Sequence, residues 1–358
     1  THAFADGANS YTIWVDLEDE DGTHLDTGSQ AVTVSNVAPT IALAGDASVA
    51  EGSLYTLTLG AVTDPGDDTV TSWIVDWGDG NTNTYGATGD VTHTYVDGPN
   101  AYTISVDLVD EDGTHSDAGS RAVSVTNVAP AATLSGPASI AEGSLFTLSI
   151  DGLPDPGDDS VSQIVIDWGD GSPATTVPGT TTSVGHTYAD GAIGYTITVD
   201  LVDEDGTHTD AGSHAVSVTN VAPSIALAGD ASVAEGTSYT LTLGAVTDPG
   251  DDTVTSWAVD WGDGTIDTYG SAGDVTHTYA DGDNPYTITV FLTDEDGTHI
   301  DSGSKAVNVT NVAPTIALAG DASVAEGSLY TLTLGAVTDP GDDTVTSWIV
   351  DWGDGNTD

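Results

Sequence analysis

The chain of 358 residues contains no cysteine. No disulfide staples it, and no thiolate metal site is possible. It carries two basic residues, Arg121 and Lys305, against 57 acidic ones, for a formal net charge of −55. Nucleic acid and anionic membrane are bound through Lys and Arg, so this balance excludes both as partners. With one lysine, Lys–Asn isopeptide cross-links cannot brace every part of the chain. No run of about 18 apolar residues exists, so no segment reads as membrane-inserting. No leader peptide is visible, and no window shows a convincing 3.6-residue apolar period. A charge of this size costs stability by self-repulsion unless cations gather on it. Two remedies are open: a salty habitat that screens the charge, or specific binding of divalent cations.

What is present is a repeat. Val75-Asp76-Trp77-Gly78-Asp79-Gly80 recurs at 166–171, 259–264 and 350–355, so that Trp77, Trp168, Trp261 and Trp352 fall 91, 93 and 91 residues apart. Asn-Val-Ala-Pro recurs at Asn36, Asn127, Asn220 and Asn311 with the same spacings. A period of about 92 residues is too long for a small solenoid unit and is the size of one autonomous β domain. The expected layout is a half repeat at 1–38, complete repeats at 39–129, 130–222 and 223–313, and a second half repeat at 314–358. The copy at 130–222 is divergent, two residues longer around Ser172–Gly185, with Pro173 and Pro178 there.

Within 39–129, Ile41 and Leu43 alternate with small residues, and Val49 begins a short continuation. Tyr55, Leu57 and Leu59 alternate with Thr56 and Thr58, the period-2 pattern of a half-buried strand. Trp73, Val75 and Trp77 share a face. Tyr102, Ile104, Val106 and Leu108 mark another strand, and Val123 and Val125 close the unit. Asp64-Pro65-Gly66, Gly78-Asp79-Gly80, Asp97-Gly98-Pro99 and Asp110-Glu111-Asp112-Gly113 are turns. Turn signals every 8–12 residues predict an all-β chain of antiparallel sandwiches, about seven strands each.

Val-Asp-Trp-Gly-Asp-Gly, then His93-Thr94-Tyr95, then Tyr102-Thr103-Ile104-Ser105-Val106, then Asp110-x-Asp112-Gly113 together resemble the polycystic-kidney-disease (PKD) domain. The resemblance covers essentially the whole chain. It implies a tandem, head-to-tail array of Ig-like sandwiches, placement outside the cell or on its surface, and no catalysis.

In such a sandwich the entering linker, the Asp64–Asp68 loop and the Asp110–Asp117 loop share one pole. The turns at Glu51, Asp79 and Asp97 share the other with the outgoing linker. Head-to-tail stacking then gathers carboxylates from two repeats at each junction, an environment suited to calcium, which takes six to eight oxygens. The candidate ligands are Asp64, Asp67, Asp68, Asp110 and Asp112, with their counterparts Asp155, Asp158, Asp159, Asp203, Asp205, Asp248, Asp251, Asp252, Asp294 and Asp296. The linker residues Asn127, Asn220 and Asn311 add oxygens; Glu51 and its equivalents rank below them. The competing reading is a solvated acidic surface for high salt.

Other motifs lead nowhere catalytic. Asp26-Thr27-Gly28-Ser29 spells the aspartic-protease signature, but its counterparts read Asp117-Ala118-Gly119, Asp210-Ala211-Gly212 and Asp301-Ser302-Gly303. His24, His115, His208 and His299 read as turn residues that bond a neighbouring carboxylate, and His93, His186 and His277 as structural. Gln163 falls at the place of Trp73 and suggests a peripheral site. Asn308-Val309-Thr310 is a lone glycosylation sequon. Thr1 matches Thr92 and Asp358 matches Asn83, so the two ends are either a cut through a longer array or two halves that complete each other between chains. The expected function is an extracellular rod (a stalk, adhesin or filament) stiffened by calcium, with other copies or neighbouring repeats as partners. The alternatives are an adhesin that recognises glycan or protein, and a spacer of a secreted enzyme.

Overall fold

The computed structural model describes residues 1–358 and contains 28 β-strands and no helix. Strands β1 (Asn9–Asp19) and β2 (Gly22–Val34) pair as an antiparallel hairpin. The first complete repeat follows with β3 (Thr40–Gly45), β4 (Ser48–Ala50), β5 (Leu54–Thr63), β6 (Ser72–Asp76), β7 (Thr82–Tyr85), β8 (Gly89–Thr94), β9 (Asn100–Asp110) and β10 (Gly113–Thr126). One sheet has the order β3-β5-β8, the other β4-β10-β9-β6-β7. The same two orders recur after Thr133 and after Ser224.

The chain divides into two compact units. One comprises Thr1–Ser135, Leu148–Val184 and Thr196–His214; the other comprises Gly136–Thr147, Gly185–Tyr195 and Ala215–Asp358. The division runs through the strands of repeat 130–222 and not through the Asn-Val-Ala-Pro segments. Every junction between consecutive repeats therefore lies inside one unit.

Alternation builds the core. Tyr55, Leu57 and Leu59 from β5 meet Trp73 and Val75 from β6, Ile104, Val106 and Leu108 from β9, and Val123 and Val125 from β10, all buried. Each such side chain contributes about 1.5–3 kcal/mol by leaving water. The residues between them face out. The repeat 224–309 has the same core, from Ile225 to Val309. In repeat 130–222 the strand register corrects one alignment. Trp73 lies opposite Leu108, and Ile164 lies opposite Leu201, so Ile164 and not Gln163 holds the place of Trp73. Ile164 is buried, so the site is core and not periphery.

Two further expectations change. The segment at Val49 does not continue β3. It crosses to the other sheet and pairs in parallel with β10, Val49 opposite Val125. Beside the crossing, Tyr55 donates its hydroxyl to the Asp46 carbonyl at 3.1 Å, but Ser139–Ala141 crosses in the same way in the repeat that has Phe146 there. The Asp110–Asp117 loop is a short turn, and β10 already begins at Gly113. Asp117 sits in an irregularity between His115 and Gly119 with φ 57°, as do Asp26, Asp210 and Asp301 with φ 55–59°. Aspartate is among the few residues that tolerate this left-handed conformation. The Asp117 N–H is held by the Asp107 carboxylate at 2.9 Å. The protease-like signature is thus a bulge in a strand.

The Trp-Gly-Asp-Gly turn locks the far end of the sandwich. Trp77 is fully buried, donates its indole N–H to Asn83, and accepts the Tyr95 hydroxyl on its carbonyl at 3.0 Å. Gly78 has φ 85°, and a Cβ there would meet the Thr103 carbonyl at 2.8 Å. The His93 ring stacks on Trp77 with centroids 4.8 Å apart, and its Nε2 lies 2.6 Å from the Asp79 carboxylate. Trp261, Tyr279, His277 and Asp263 repeat the arrangement.

The apolar faces of β1–β2 and of residues 314–358 are open. Val15 is 50% exposed and Trp352 39%, where their counterparts Val106 and Trp77 are 0%. An open groove of about 360 Å³ runs along Ile316, Tyr330, Leu334, Trp348 and Trp352.

The Asp79 pair gives a pH test. Burial pushes its carboxyl up, but hydrogen bonds from His93 and Asn81 outweigh this and hold it below the ordinary 3.8. A depressed folded pKa stabilises above the unfolded value, and that stability is lost as pH falls through the folded one. His93→Phe keeps the stack and removes the donor. Thermal unfolding in chelator between about pH 5 and 2 should show a shallower acid limb for the variant; parallel limbs would refute the assignment.

Candidate functional site: the repeat junctions

Each junction is built from the turn that follows β4, the Asp-Gly turn before β9 and the linker of one repeat, set against the two acidic loops of the next. The geometry is clearest around Glu51. Its side chain is fully buried. Oε2 accepts the Gly98 N–H at 2.7 Å, and Oε1 accepts the linker N–H of Val128 at 2.6 Å. Glu142 accepts Val221, and Glu235 accepts Gly282 and Val312, in the same manner. An ionised carboxylate is buried at a steep desolvation cost unless hydrogen bonds and charge partners compensate. Here backbone N–H groups supply the bonds, and no Lys or Arg supplies the charge. Lys305 lies in the strand Thr298–Thr310, and Arg121 is engaged with the Gly45 carbonyl.

Close backbone contact brings the next repeat in. Gly52 has φ 66°, and a Cβ on it would stand 2.4 Å from the Pro156 carbonyl oxygen. Gly143 meets Pro249 and Gly236 meets Pro340 equally closely. Beside each contact, one backbone hydrogen bond crosses the junction. Asp158 donates to Val96, Asp251 to Ala189 and Asp342 to Ala280, each at 2.8 Å; Asp67 donates to Ala5 at 2.9 Å.

The carboxylates then converge. Oxygens of Glu51, Asp97 and Asp159 lie within 4.8 Å of one another, as do those of Glu142, Asp190, Asp252 and Asp296, and of Asp6, Asp68 and Asp112. A second kind of group lies within one repeat: Asp64, Asp68 and Asp110, or Asp155, Asp159 and Asp203. Buried carboxylate oxygens without a hydrogen-bond partner mark these places: Oδ2 of Asp64, Asp155, Asp159, Asp248 and Asp252, and Oε2 of Glu142, whose residue is 1% exposed. Asp159 is pushed up to about 6, by burial first and then by Glu51 and Asp155. Asp252 is pushed up to about 6 for the same reasons, with Glu142 and Asp248 as the neighbours. Asp203 moves the other way. Burial raises it, but His208 at 2.7 Å and the N–H groups of Asp205 and Gly206 hold it below its ordinary value.

The sequence-selected residues divide into three sets. Asp64, Asp68 and Asp110 lie together, as do Asp155, Asp159 and Asp203, and Asp112, Asp252 and Asp296 join the groups that cross a junction. Asp67, Asp158 and Asp251 are exposed and reach the neighbour through their backbone N–H. The linker asparagines reach it through side-chain NH2 groups, Asn127 to Asp205, Asn220 to Asp296, and Asn311 to Asp343 at 2.7 Å. Asp6, Asp97 and Asp190 join these groups from outside the expected ligand set, and Glu51 and Glu142 are members of them on a par with the aspartates. The signal for them was the recurrence of Ala-Glu-Gly and of Asp-Gly in every copy. Chemically the donor set is hard and anionic, rich in carboxylate with backbone carbonyls nearby, the kind that calcium takes and soft metals do not.

Antiparallel two-sheet repeats joined by short linkers define a tandem array of Ig-like β-sandwiches. The PKD domain model matches residues 36–125 and 220–309, together just over half of the chain, and the chain belongs to the PKD domain family. No characterised protein matches it in sequence. Among solved structures it is similar to the FN1–FN3 domains of chicken CNTN1, at 9% identity over 76% of this chain and 100% of that one, with a TM-score of 0.24. It is also similar to the fibronectin(III)-like modules of Clostridium thermocellum CbhA, at 16% identity over 50% of this chain and 93% of that one, with a TM-score of 0.22. A stretch of domains from titin aligns at 15% identity over 75% of this chain and 97% of that one, with a TM-score of 0.30.

The junction contact can be tested apart from any metal. Gly52→Ala should speed hydrogen exchange at the Asp158 amide and lower the melting temperature. Gly80→Ala is the control, because Gly80 also has a positive φ (91°) but open space around it. Equal exchange at Asp158 in both variants would remove Gly52 from the junction.

Proposed function

We propose that this chain is a non-catalytic structural segment of an extracellular or cell-surface protein, and that calcium at the repeat junctions stiffens it. The observation that carries the reading is the set of buried, unpartnered carboxylate oxygens where two repeats meet, in a chain with two basic residues. Tandem PKD repeats support the structural role, and no helix is long and apolar enough to cross a membrane. Calcium modules of extracellular proteins bind with Kd of roughly 10⁻⁴–10⁻³ M. At free calcium tenfold above Kd, one site adds about 1.4 kcal/mol by linkage. For a domain of this size that corresponds to a rise of about 5–10 °C in melting temperature. Thermal unfolding and small-angle scattering at fixed ionic strength, in millimolar calcium and then in chelator, test this. A lower melting point and a more flexible chain in chelator are expected. No change in either would sink the calcium reading and leave the acidity as a solvation device for salty surroundings.

A glycan- or protein-binding adhesin and an enzyme spacer remain the alternatives to the structural reading.

A further inference from the structure

The two kinds of carboxylate group at a junction are not separate. Asp159 belongs to both the group with Glu51 and Asp97 and the group with Asp155 and Asp203. Asp68 belongs to both the group with Asp6 and Asp112 and the group with Asp64 and Asp110. A carboxylate has two oxygens, and a residue common to two oxygen clusters can present one to each. We infer that each of the junctions at Asn36, Asn127 and Asn220 binds two adjacent divalent cations bridged by one aspartate, Asp68, Asp159 and Asp252 in turn. The inference rests on the calcium reading above and deepens it. One ion would sit within the acidic end of a single repeat, and the other between that repeat and the preceding one.

Three observations point to a pair and not to one ion. The first is where the unpartnered buried oxygens fall. At the Asn127 junction they include Oδ2 of Asp155, which is only in the inner group, and Oδ2 of Asp159, which is shared. At the Asn220 junction they include Oδ2 of Asp248 and Asp252, and Oε2 of Glu142, which is in the outer group. Glu142 is 1% exposed, and its Oε1 is already fixed by the Val221 N–H at 2.6 Å. One of its carboxylate oxygens lies within 4.8 Å of those of Asp190, Asp252 and Asp296. A single ion leaves one of the two sets of oxygens without a partner.

The second is charge. At the Asn127 junction the two groups hold five different carboxylates. One divalent cation leaves three negative charges there, and two leave one. The third is the choice of bridging residue. Asp159 lies within 4.8 Å of Glu51 and Asp97 on one side and of Asp155 and Asp203 on the other. A group so placed is the one that a second cation relieves most.

The full chain, stripped of metal, is titrated with calcium alone, and bound ions are counted by equilibrium dialysis. Two per junction are expected. One per junction would overturn the pair and leave the calcium reading standing, and no binding would overturn both. A second measurement needs no variant. The chain is filled with terbium diluted in neodymium, or in lanthanum as the blank. Terbium luminescence should decay faster beside neodymium, because excitation energy passes between neighbouring ions. Equal decay would mean isolated ions. Variants then place the bridge. Asp155→Asn and Glu51→Gln should each lose one ion from their junction, and Asp159→Asn should lose two. Melting of each variant in chelator shows whether it folds as the parent does. Loss of only one ion from a folded Asp159→Asn chain would overturn the bridge.

Discussion

The structure turns on a carboxylate buried away from bulk solvent with no Lys or Arg beside it. Glu51 holds the Gly98 turn and the Val128 linker through its two oxygens, and the same oxygens stand against Asp159 of the next repeat. The direction in which one repeat leaves the other is therefore tied to a charge. Any change in that charge, by a proton or a metal, acts on the linker N–H groups and on the neighbouring repeat together. Glu142 and Glu235 put the same coupling at the following junctions.

Packing and electrostatics oppose each other there, and magnitudes decide between them. The crossing backbone hydrogen bond, Asp158 to Val96, contributes on the order of 1 kcal/mol net. Two unit charges about 5 Å apart repel by roughly 3 kcal/mol at an effective dielectric constant of about 20. Several such pairs outweigh one hydrogen bond and the contact of Gly52 with Pro156. Diffuse salt relieves this poorly, because the Debye length is about 8 Å at physiological ionic strength, longer than the 4.8 Å that limits each group. Only near molar salt, where screening falls to about 3 Å, do the two distances become comparable. A bound cation acts inside that distance. Close docking of repeats is thus conditional on a counter-charge, which is why the calcium and salty-habitat readings separate at constant ionic strength.

The fold was legible because its determinants are local. Period-2 alternation in Leu54–Thr63 or Asn100–Asp110 names the buried face directly, and Trp-Gly-Asp-Gly marks one turn per repeat. The crossing of Ser48–Ala50 to the other sheet was not legible. Three residues carry too little pattern, and their partner, Ser124–Thr126, lies far along the chain. Half of the site was legible for the same reason: the Asp64–Asp68 loop and the Asp110 turn are dense in acid. The other half was not. Glu51, Asp97 and Asp6 stand alone among ordinary residues, and only the meeting of two repeats makes them a cluster. Asn127 shows a finer limit. Composition places it at the linker, but not whether its carbonyl or its NH2 faces Asp205.

The divergent repeat separates what the core needs from what the junction needs. Residues 130–222 replace Tyr55 by Phe146 and Trp73 by Ile164, and lengthen the loop around Ser172–Gly185. Phe146 and Ile164 are both fully buried, so the sandwich tolerates a lost hydroxyl and a smaller ring-free side chain at these places. Its junction acids are unchanged: Glu142, Asp155, Asp159, Asp190, Asp203 and Asp205 stand where the first repeat has Glu51, Asp64, Asp68, Asp97, Asp110 and Asp112. A solvated acidic surface has no reason to hold single carboxylates in register while buried aromatics beneath it drift, since any exposed acid serves solvation equally. A site completed only by two repeats does. Each repeat supplies the glutamate for the repeat after it and the aspartates for the repeat before it, so loss of either kind spoils a junction that its own core cannot repair.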